Sequence, residues 1–380
     1  MMRTKVLDTK KKAKPETAQP EEEYTLDNSV VIDKYKSAAN VANLALAAVI
    51  EQVKENASIY ELCKVGDNKV DELCKKTYAK SKISRGLSYP TSVSVNSIAC
   101  HFSPVESDAE SAKPLQKGDI VKIQIGAHFD GLAAVVGHTV VVGASEAEPV
   151  TGENADLLAA AHYAAEGILR MIKPGKKSTD ISDVATKITQ TFGCLPLEGS
   201  LCHNQIRNKI DGEKHIVLNP GEDQKFKVKV NEIEVGEVYL IDILVAGGQA
   251  KPRTTKHRTT VFAKSGTTYQ LKMQVARSLY SEVSSKFATF PFSIRCCEDE
   301  RKARMGVIEC AKSRVLESFD VIEEKDGNNV AQVCFTVLVT PKGVIRITQG
   351  PAFNPKVVIT DKKVDSEITA LLNTSAKSLK

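Results

Sequence analysis

Two stretches of this chain repeat one pattern: Gly118-Asp-Ile-Val-Lys-Ile-Gln124-Ile-Gly126 and Gly236-Glu-Val-Tyr-Leu-Ile-Asp242-Ile-Leu244. Each opens on a glycine and an acid, then alternates apolar and polar residues as a half-buried strand does. Each also follows two helical patterns. Before the first, Val30, Ile32, Tyr35, Ala38, Val41, Leu44, Ala47 and Ile50 recur mostly at three- and four-residue steps from Asp27 onward, and a second helix is expected over about 58–80. Before the second, helices are expected over about 153–172, stopped by Pro174-Gly175, and 178–192, stopped by Gly193. A helix pair and a long strand, twice over, predict an α/β fold of two related halves enclosing one cavity between their sheets. At the shared inward position one copy carries Gln124 and the other Asp242, and that difference bears on any chemistry the cavity could perform.

The first repeat continues into a hairpin. Val121, Ile123, Ile125, Ala127 and Phe129 alternate up to Asp130-Gly131, a type I′ turn signal, and an apolar strand returns through Val140–Val142. That turn opposes residues 124 and 137 and puts Val135 diagonally across from Gln124 on the same face. Residues 89–104 alternate and end in Pro104, which predicts short strands and loops; Val330–Val339 is a further apolar strand. Nearly ninety residues separate Asp242 from that strand, with helical patterns at about 268–287 and 298–315, so a helical insertion is expected at about 265–327. The organisation expected is a tail at 1–25, a domain at 26–375 and a short tail at 376–380. The first tail is Lys-rich, then Glu/Pro-rich, and is read as disordered.

The longest apolar run, Ala42–Ile50, is far too short to span a bilayer, and no signal segment is read after Met1, where Arg3, Lys5 and Lys10–Lys12 stand instead. A cytosolic or nuclear address follows, with no membrane partner; the nucleic-acid reading given below puts the nucleus first and the cytoplasm second. Nine scattered cysteines, none in C-x-x-C spacing, fit buried thiols of a reducing compartment.

Tyr89-Pro-Thr-Ser-Val-Ser-Val-Asn96, His101, Lys122-Ile-Gln-Ile-Gly126, Gly199-Ser-Leu-Cys-His203, Gly236–Asp242 and Val330-Ala-Gln-Val-Cys-Phe-Thr336 form an ordered series over about 27–375. It resembles the type II methionine aminopeptidases of the pita-bread (creatinase/aminopeptidase) fold, peptidase family M24. Glu298-Asp-Glu-Arg-Lys-Ala-Arg-Met-Gly306 and Ile210-Asp-Gly-Glu-Lys214 resemble its non-peptidase branch of proliferation-associated, ErbB-receptor-binding and fungal curved-DNA-binding proteins. The resemblance implies a two-metal cage of four carboxylates and one imidazole. Carried over, those positions are Gln124, Val135, His203, Asp242 and Cys334; a pocket histidine matches at His101, and a second falls on Asp211. Two divalent cations carry four positive charges and need carboxylates that chelate and bridge. One carboxylate and one imidazole remain, so no catalytic residue, metal or cofactor is expected, and His101, Gln124, Val135, His203, Asp242 and Cys334 are read as a vestigial pocket. Whether one zinc could still use His203, Asp242 and Cys334 stays open. His128 and Asp130, with His138 on the return strand, are a second metal candidate; a turn-forming aspartate and partly exposed strand histidines is the favoured reading.

Net charge is only +5, so clustering matters more than the total. Lys251, Arg253, Lys256 and Arg258 lie within eight residues without an acid. Lys225, Lys227 and Lys229 alternate with apolar residues, which in an extended segment would put all three on one face. Arg301, Lys302 and Arg304 give the insertion a basic helix face, with Lys312 and Arg314 further along it and Lys272 and Arg277 on its partner helix. Any one cluster is equally a solvated surface patch. Together, beside a cavity short of ligands, they predict nucleic acid held by its phosphates. A preference for curved DNA is implied by the resemblance; structured RNA or ribosomal subunits would satisfy the same charges, and the pocket would remain for protein partners. The rivals are a protein-binding adaptor in growth or ribosome-biogenesis control and an active methionine aminopeptidase.

Overall fold

The computed structural model describes residues 24–108, 113–375 and 377–378, so the basic segment Arg3–Lys14 lies outside the described residues. The first half holds α1 (Ser29–Ile50), α2 (Ile59–Lys76), β1 (Arg85–Val95), β2 (Ile98–Cys100), β3 (Ile120–Phe129) and β4 (Leu132–Val141). Asn28 and Ser58 cap the two helices through their side-chain oxygens. The second half holds α3 (Gly152–Met171), α4 (Ser178–Thr191), β5 (Leu195–Pro196), β6 (Leu201–Gln205), β7 (His215–Val217), α5 (Glu222–Lys225) and β8 (Val238–Ala246). Then follow β9 (Pro252–Thr254), β10 (Val261–Lys264), α6 (Gln274–Lys286), β11 (Phe292–Ser293), α7 (Glu300–Lys312), β12 (Leu316–Phe319), β13 (Ile322–Glu324), β14 (Val330–Thr340), β15 (Gly343–Arg346) and α8 (Ser366–Leu372). Among the described residues no helix is long and apolar enough to cross a membrane.

The halves do not carry separate sheets. One sheet runs β1-β3-β4-β14-β8-β6-β7, so the expected cavity between two sheets is instead the concave side of one. Both helix pairs cover its other side. Val121, Ile123, Ile125 and Phe129 pack with α1 and α2, and Tyr239, Ile241, Ile243 and Val245 pack with α3 and α4. Alternation then turns Gln124 and Asp242 away from the helices. β1 is one long strand with register shifts between Leu87 and Ser92, where short strands were expected.

The hairpin has the expected register, with Gln124 opposite Gly137 and Gly126 opposite Val135. Asp130 and Gly131 both take positive φ (56° and 79°), as a type I′ turn requires. Asp130 is a turn residue and a tether: it pairs with Lys34 of α1 at 2.6 Å and with Arg207 of the second half at 2.8 Å.

The halves meet at a seam between β4 and β14, where Gly137 and Cys334 are the one pair in the β-ladder register. Threonine hydroxyls bridge the rest. Thr139 accepts from Gln332 N (2.7 Å) and donates to Gln332 O (2.8 Å), while Thr336 accepts from Val135 N (2.9 Å) and donates to Val135 O (3.0 Å). The two arrangements are mirror roles about the Gly137–Cys334 pair.

Residues 261–319 build a three-stranded sheet (β11-β10-β12) beside α6 and α7, around their own apolar cluster. One buried ion pair ties that unit to the first half: Arg295 Nη2 meets Asp67 Oδ2 of α2 at 2.6 Å. The same guanidinium donates to Ser103 Oγ and to the carbonyls of Thr91 and Pro104, while Asp67 also accepts from Thr91 N. Removing one partner of a buried pair strands the other charge. Arg295→Met should lower unfolding stability by about 3–5 kcal/mol in a denaturant titration; a loss well under 1 kcal/mol would refute this tie.

Candidate functional site

Four neighbouring strands align the central residues in one row. Gln124 pairs with Gly137, Gly137 with Cys334, and Cys334 with Asp242. In a flat sheet three inter-strand gaps would separate the first residue from the last by about 14 Å. Gln124 Nε2 nevertheless reaches Asp242 Oδ2 at 3.2 Å, so the sheet curls and this face is its inside. Gly137 permits the curl: a Cβ there would sit 2.8 Å from Cys334 Cβ.

The Asp242 carboxylate is held by amides. Gln124 Nε2 donates to one oxygen, and Gln332 Nε2 donates to the other at 2.7 Å. Gln124 Nε2 also lies 3.5 Å from Cys334 Sγ. Burial pushes the Asp242 carboxyl up to about 6, against the two amide bonds, which pull it down. Burial, reinforced by Asp242, holds the Cys334 thiol well above its usual range. Gln332 was not singled out in the sequence; standing two residues before Cys334 on one strand, it shares that face by period-two alternation.

Gln124, Asp242, His101, His203 and Asp211 line a cavity of about 440 Å³ on this face. Val135 and Cys334 are fully buried with Leu240 and Phe290. His203 Nδ1 lies 3.1 Å from His215 Nδ1, and burial, with His215 and Lys209 adding to it, pushes the His203 imidazole down to about 4. His101 takes a positive φ of 65°; its Nδ1 meets Asp320 O at 2.9 Å, its ring stands edge-on to Phe319, and burial lowers its pKa. Lys122, one step along β3 on the same face, donates to Asn96 O at 2.6 Å, and burial lowers its ammonium to about 7.

A metal pair does not fit this donor set. Both Asp242 oxygens receive N–H groups, Val135 offers no ligand, and the Cys334 thiol holds its proton. Among the described residues no group of three or more His, Cys, Asp or Glu side chains is placed to hold a metal ion. The second metal candidate separates too. His128, opposite Ala133, lies on the concave face against Phe290, while His138, opposite Ile123, lies on the helix face. His128 is buried rather than partly exposed, His138 is half-buried, and burial pushes each imidazole down to about 4.

Two of the basic clusters adjoin residues of the cavity lining, Pro252 and Gln224. Lys251, Arg253, Lys256 and Arg258 are exposed on and beside β9, whose Pro252 lines the cavity. Arg253 is paired with Glu323 and Arg258 with Asp108. Lys225, Lys227 and Lys229 do not share a face of an extended segment. Gln224 Oε1 accepts from Gly221 N and helps set one helical turn that ends at Lys225, followed by a hydrogen-bonded turn at Phe226 and Lys227. Lys225 pairs with Glu222, and Phe226 is 92% exposed. On α7, Lys302 pairs with Asp299 and Arg304 donates to Ser107 Oγ. Arg258 and Arg304 therefore grip one short segment, which joins their clusters into one surface. Arg314 lies beyond the end of α7 and Lys272 before the start of α6.

The profile of metallopeptidase family M24 matches residues 33–241. A curved DNA-binding protein of Schizosaccharomyces pombe is 40% identical over 371 residues, covering 97% of this chain and 96% of that protein. An ERBB-3 binding protein 1 of Solanum tuberosum is 40% identical over 332 residues, covering 86% and 84%. The solved structure of a thermophilic Arx1 matches with a TM-score of 0.87 at 32% identity, over 92% of this chain and 99% of that one.

A carboxyl raised above its ordinary value binds protons more tightly in the folded state, so its contribution to stability is lost as pH rises through about 6. Gln332→Leu removes a hydrogen bond that lowers this value and should move the Asp242 titration up by roughly one unit. Carboxyl 13C NMR reads this directly; an unmoved midpoint would mean that Gln332 does not hold the carboxylate.

Proposed function

The chain belongs to metallopeptidase family M24 and has its pita-bread fold, and from that premise we propose that it has left peptidase chemistry and binds nucleic acid through phosphate contacts. A peptidase of this class needs a metal to make hydroxide from water near neutral pH. Here the carboxylates that would hold one are replaced by an amide, a valine and a protonated thiol. The pocket residues Gln124, Asp242, His101 and His203 then line and satisfy a cavity rather than catalyse.

The observation that carries the nucleic-acid reading is a set of uncommitted cations. Lys227, Lys229, Lys251, Lys256 and Arg301 are exposed and make no ion pair with any described residue. Lys251 and Lys225 each stand next in sequence to a residue of the cavity lining, Pro252 and Gln224. Arg253, Arg258 and Lys302 are already neutralised by acids and contribute less. Free lysines aimed at phosphates give binding that reads shape and charge rather than base sequence. The Schizosaccharomyces pombe relative named for curved DNA supports a prebent duplex as ligand, because prior curvature removes a bending cost of a few kcal/mol. Structured RNA and ribosomal subunits fit the same cations, and a nuclear site of action goes with either.

A second reading has its own observation. The cavity persists at about 440 Å³ with Leu240, Leu244 and Ile322 in its lining, and a relative is named for binding ERBB-3. That reading makes the chain a protein-binding adaptor.

Titration of a 30-base-pair curved duplex across salt concentrations separates the two. The protein should bind at low salt, and replacing Lys227, Lys229, Lys251, Lys256 and Arg301 by Gln should reduce the slope of log affinity against log salt by about four. No affinity for duplex DNA or structured RNA at low salt would leave the adaptor. Unchanged binding by the variant would remove these cations from the interface.

A further inference from the structure

A second cavity, also of about 440 Å³, opens on the helix face of the sheet, at the seam between β4 and β14 and against α3. It is separate from the pocket of Gln124 and Asp242. His138 and Val140 reach it from the face of β4 opposite to Val135, and Val333 reaches it from the face of β14 opposite to Cys334. α1 covers β3 and β4 while α3 covers β14 and β8, which leaves the seam between them to the segment after β15. That segment is closely fitted: a Cβ on Gly350 would come within 2.6 Å of the His138 ring, and Phe353 stacks on His162 with centroids 4.3 Å apart and planes 7° apart. A volume of this size suits a small organic molecule.

Its walls are mostly aliphatic, and its polar groups have a definite sign. Arg346 lies over the Phe335 ring at 4.3 Å with its side chain 14% exposed. Its Nε donates to Thr348 O at 2.9 Å and its Nη1 meets Glu166 at 3.3 Å, while its Nη2 makes no hydrogen bond with any described residue. Glu166 is the one carboxylate in the lining, and Arg170 holds it at 2.6 Å. Two guanidinium groups thus share one carboxylate. Burial holds His138 down to about 4, with Arg346 and His162 adding to it, and lowers His162 as well. Both imidazoles are therefore neutral at pH 7 and add hydrogen-bonding capacity without charge. The balance is a single positive charge at the edge of an apolar, partly aromatic chamber.

We propose that this cavity binds a small amphipathic anion: an apolar, ring-sized body carrying one carboxylate that pairs with Arg346. The ring would lie among the aliphatic side chains of α3 and the Phe353–His162 stack. A guanidinium with unused N–H groups in a water-poor wall favours a planar carboxylate over a neutral group of equal shape.

The test uses 2-naphthoate and 2-naphthamide, titrated into the full chain and followed by the fluorescence of the naphthalene. Naphthoate should saturate one site at sub-millimolar concentration, and the amide should bind at least about tenfold more weakly. Arg346→Met should weaken naphthoate by a similar factor, with Arg346→Lys recovering part of it. Ala165→Phe, which fills the chamber from α3, should abolish binding while circular dichroism shows the fold intact; Ala161→Leu serves the same purpose should Ala165→Phe fail to fold. Equal affinity for acid and amide, binding that survives the filled cavity, or no saturation by either probe would each overturn the proposal.

Discussion

One carboxylate and the two amides that hold it set the terms for the concave face. Asp242 points into the inside of a curled sheet, where an unsatisfied negative charge would be expensive. In a cage of several carboxylates, cations would neutralise that charge. Here Gln124 on β3 and Gln332 on β14 supply N–H donors, and the carboxyl is left weakly acidic, at about 6. The geometry demands the rest: a glycine at 137, a thiol kept protonated at 334, and a valine at 135 where a charged group would find no partner. A metal pair and this hydrogen-bond set claim the same oxygens.

The seam between the halves underlies both cavities. Thr139 and Thr336 place hydroxyls between β4 and β14 in matching roles on either side of Gly137–Cys334. The sheet is continuous there but bends, with the Gln124–Asp242 pocket on the inside. On the outside, α1 covers β3 and β4 while α3 covers β14 and β8, and the chamber beside Arg346 and His138 lies at the seam. A mutation at the seam therefore touches two sites on opposite faces.

Much of this was legible in the chain. Strand alternation and the Asp130-Gly131 turn placed residue 124 opposite 137 and Val135 on the same face, because a period of two leaves little freedom once the turn is set. Repetition of helix pair and strand revealed the two halves, and the ordered motifs identified the family. Joining of the halves was not legible: whether two strands bond across a seam depends on side-chain hydroxyls that carry no periodic signal. Alternation also misled at Lys225–Lys229, where Gly221 and Gln224 start a helical turn that local pattern did not reveal. Gln332 was overlooked for the opposite reason. Its position followed from Cys334, but its partner lies 90 residues away in sequence and appears only when β14 meets β8.

Metal binding is the most direct test of these claims. The purified chain, freed of metal by chelation, would be titrated with Co2+ and then Zn2+ by calorimetry at neutral pH, with elemental analysis after dialysis. The amide-held carboxylate predicts no saturable site of stoichiometric occupancy on the concave face, and an Asp242 titration near pH 6 that added metal leaves in place. Two ions retained per chain, with loss of that titration, would contradict it.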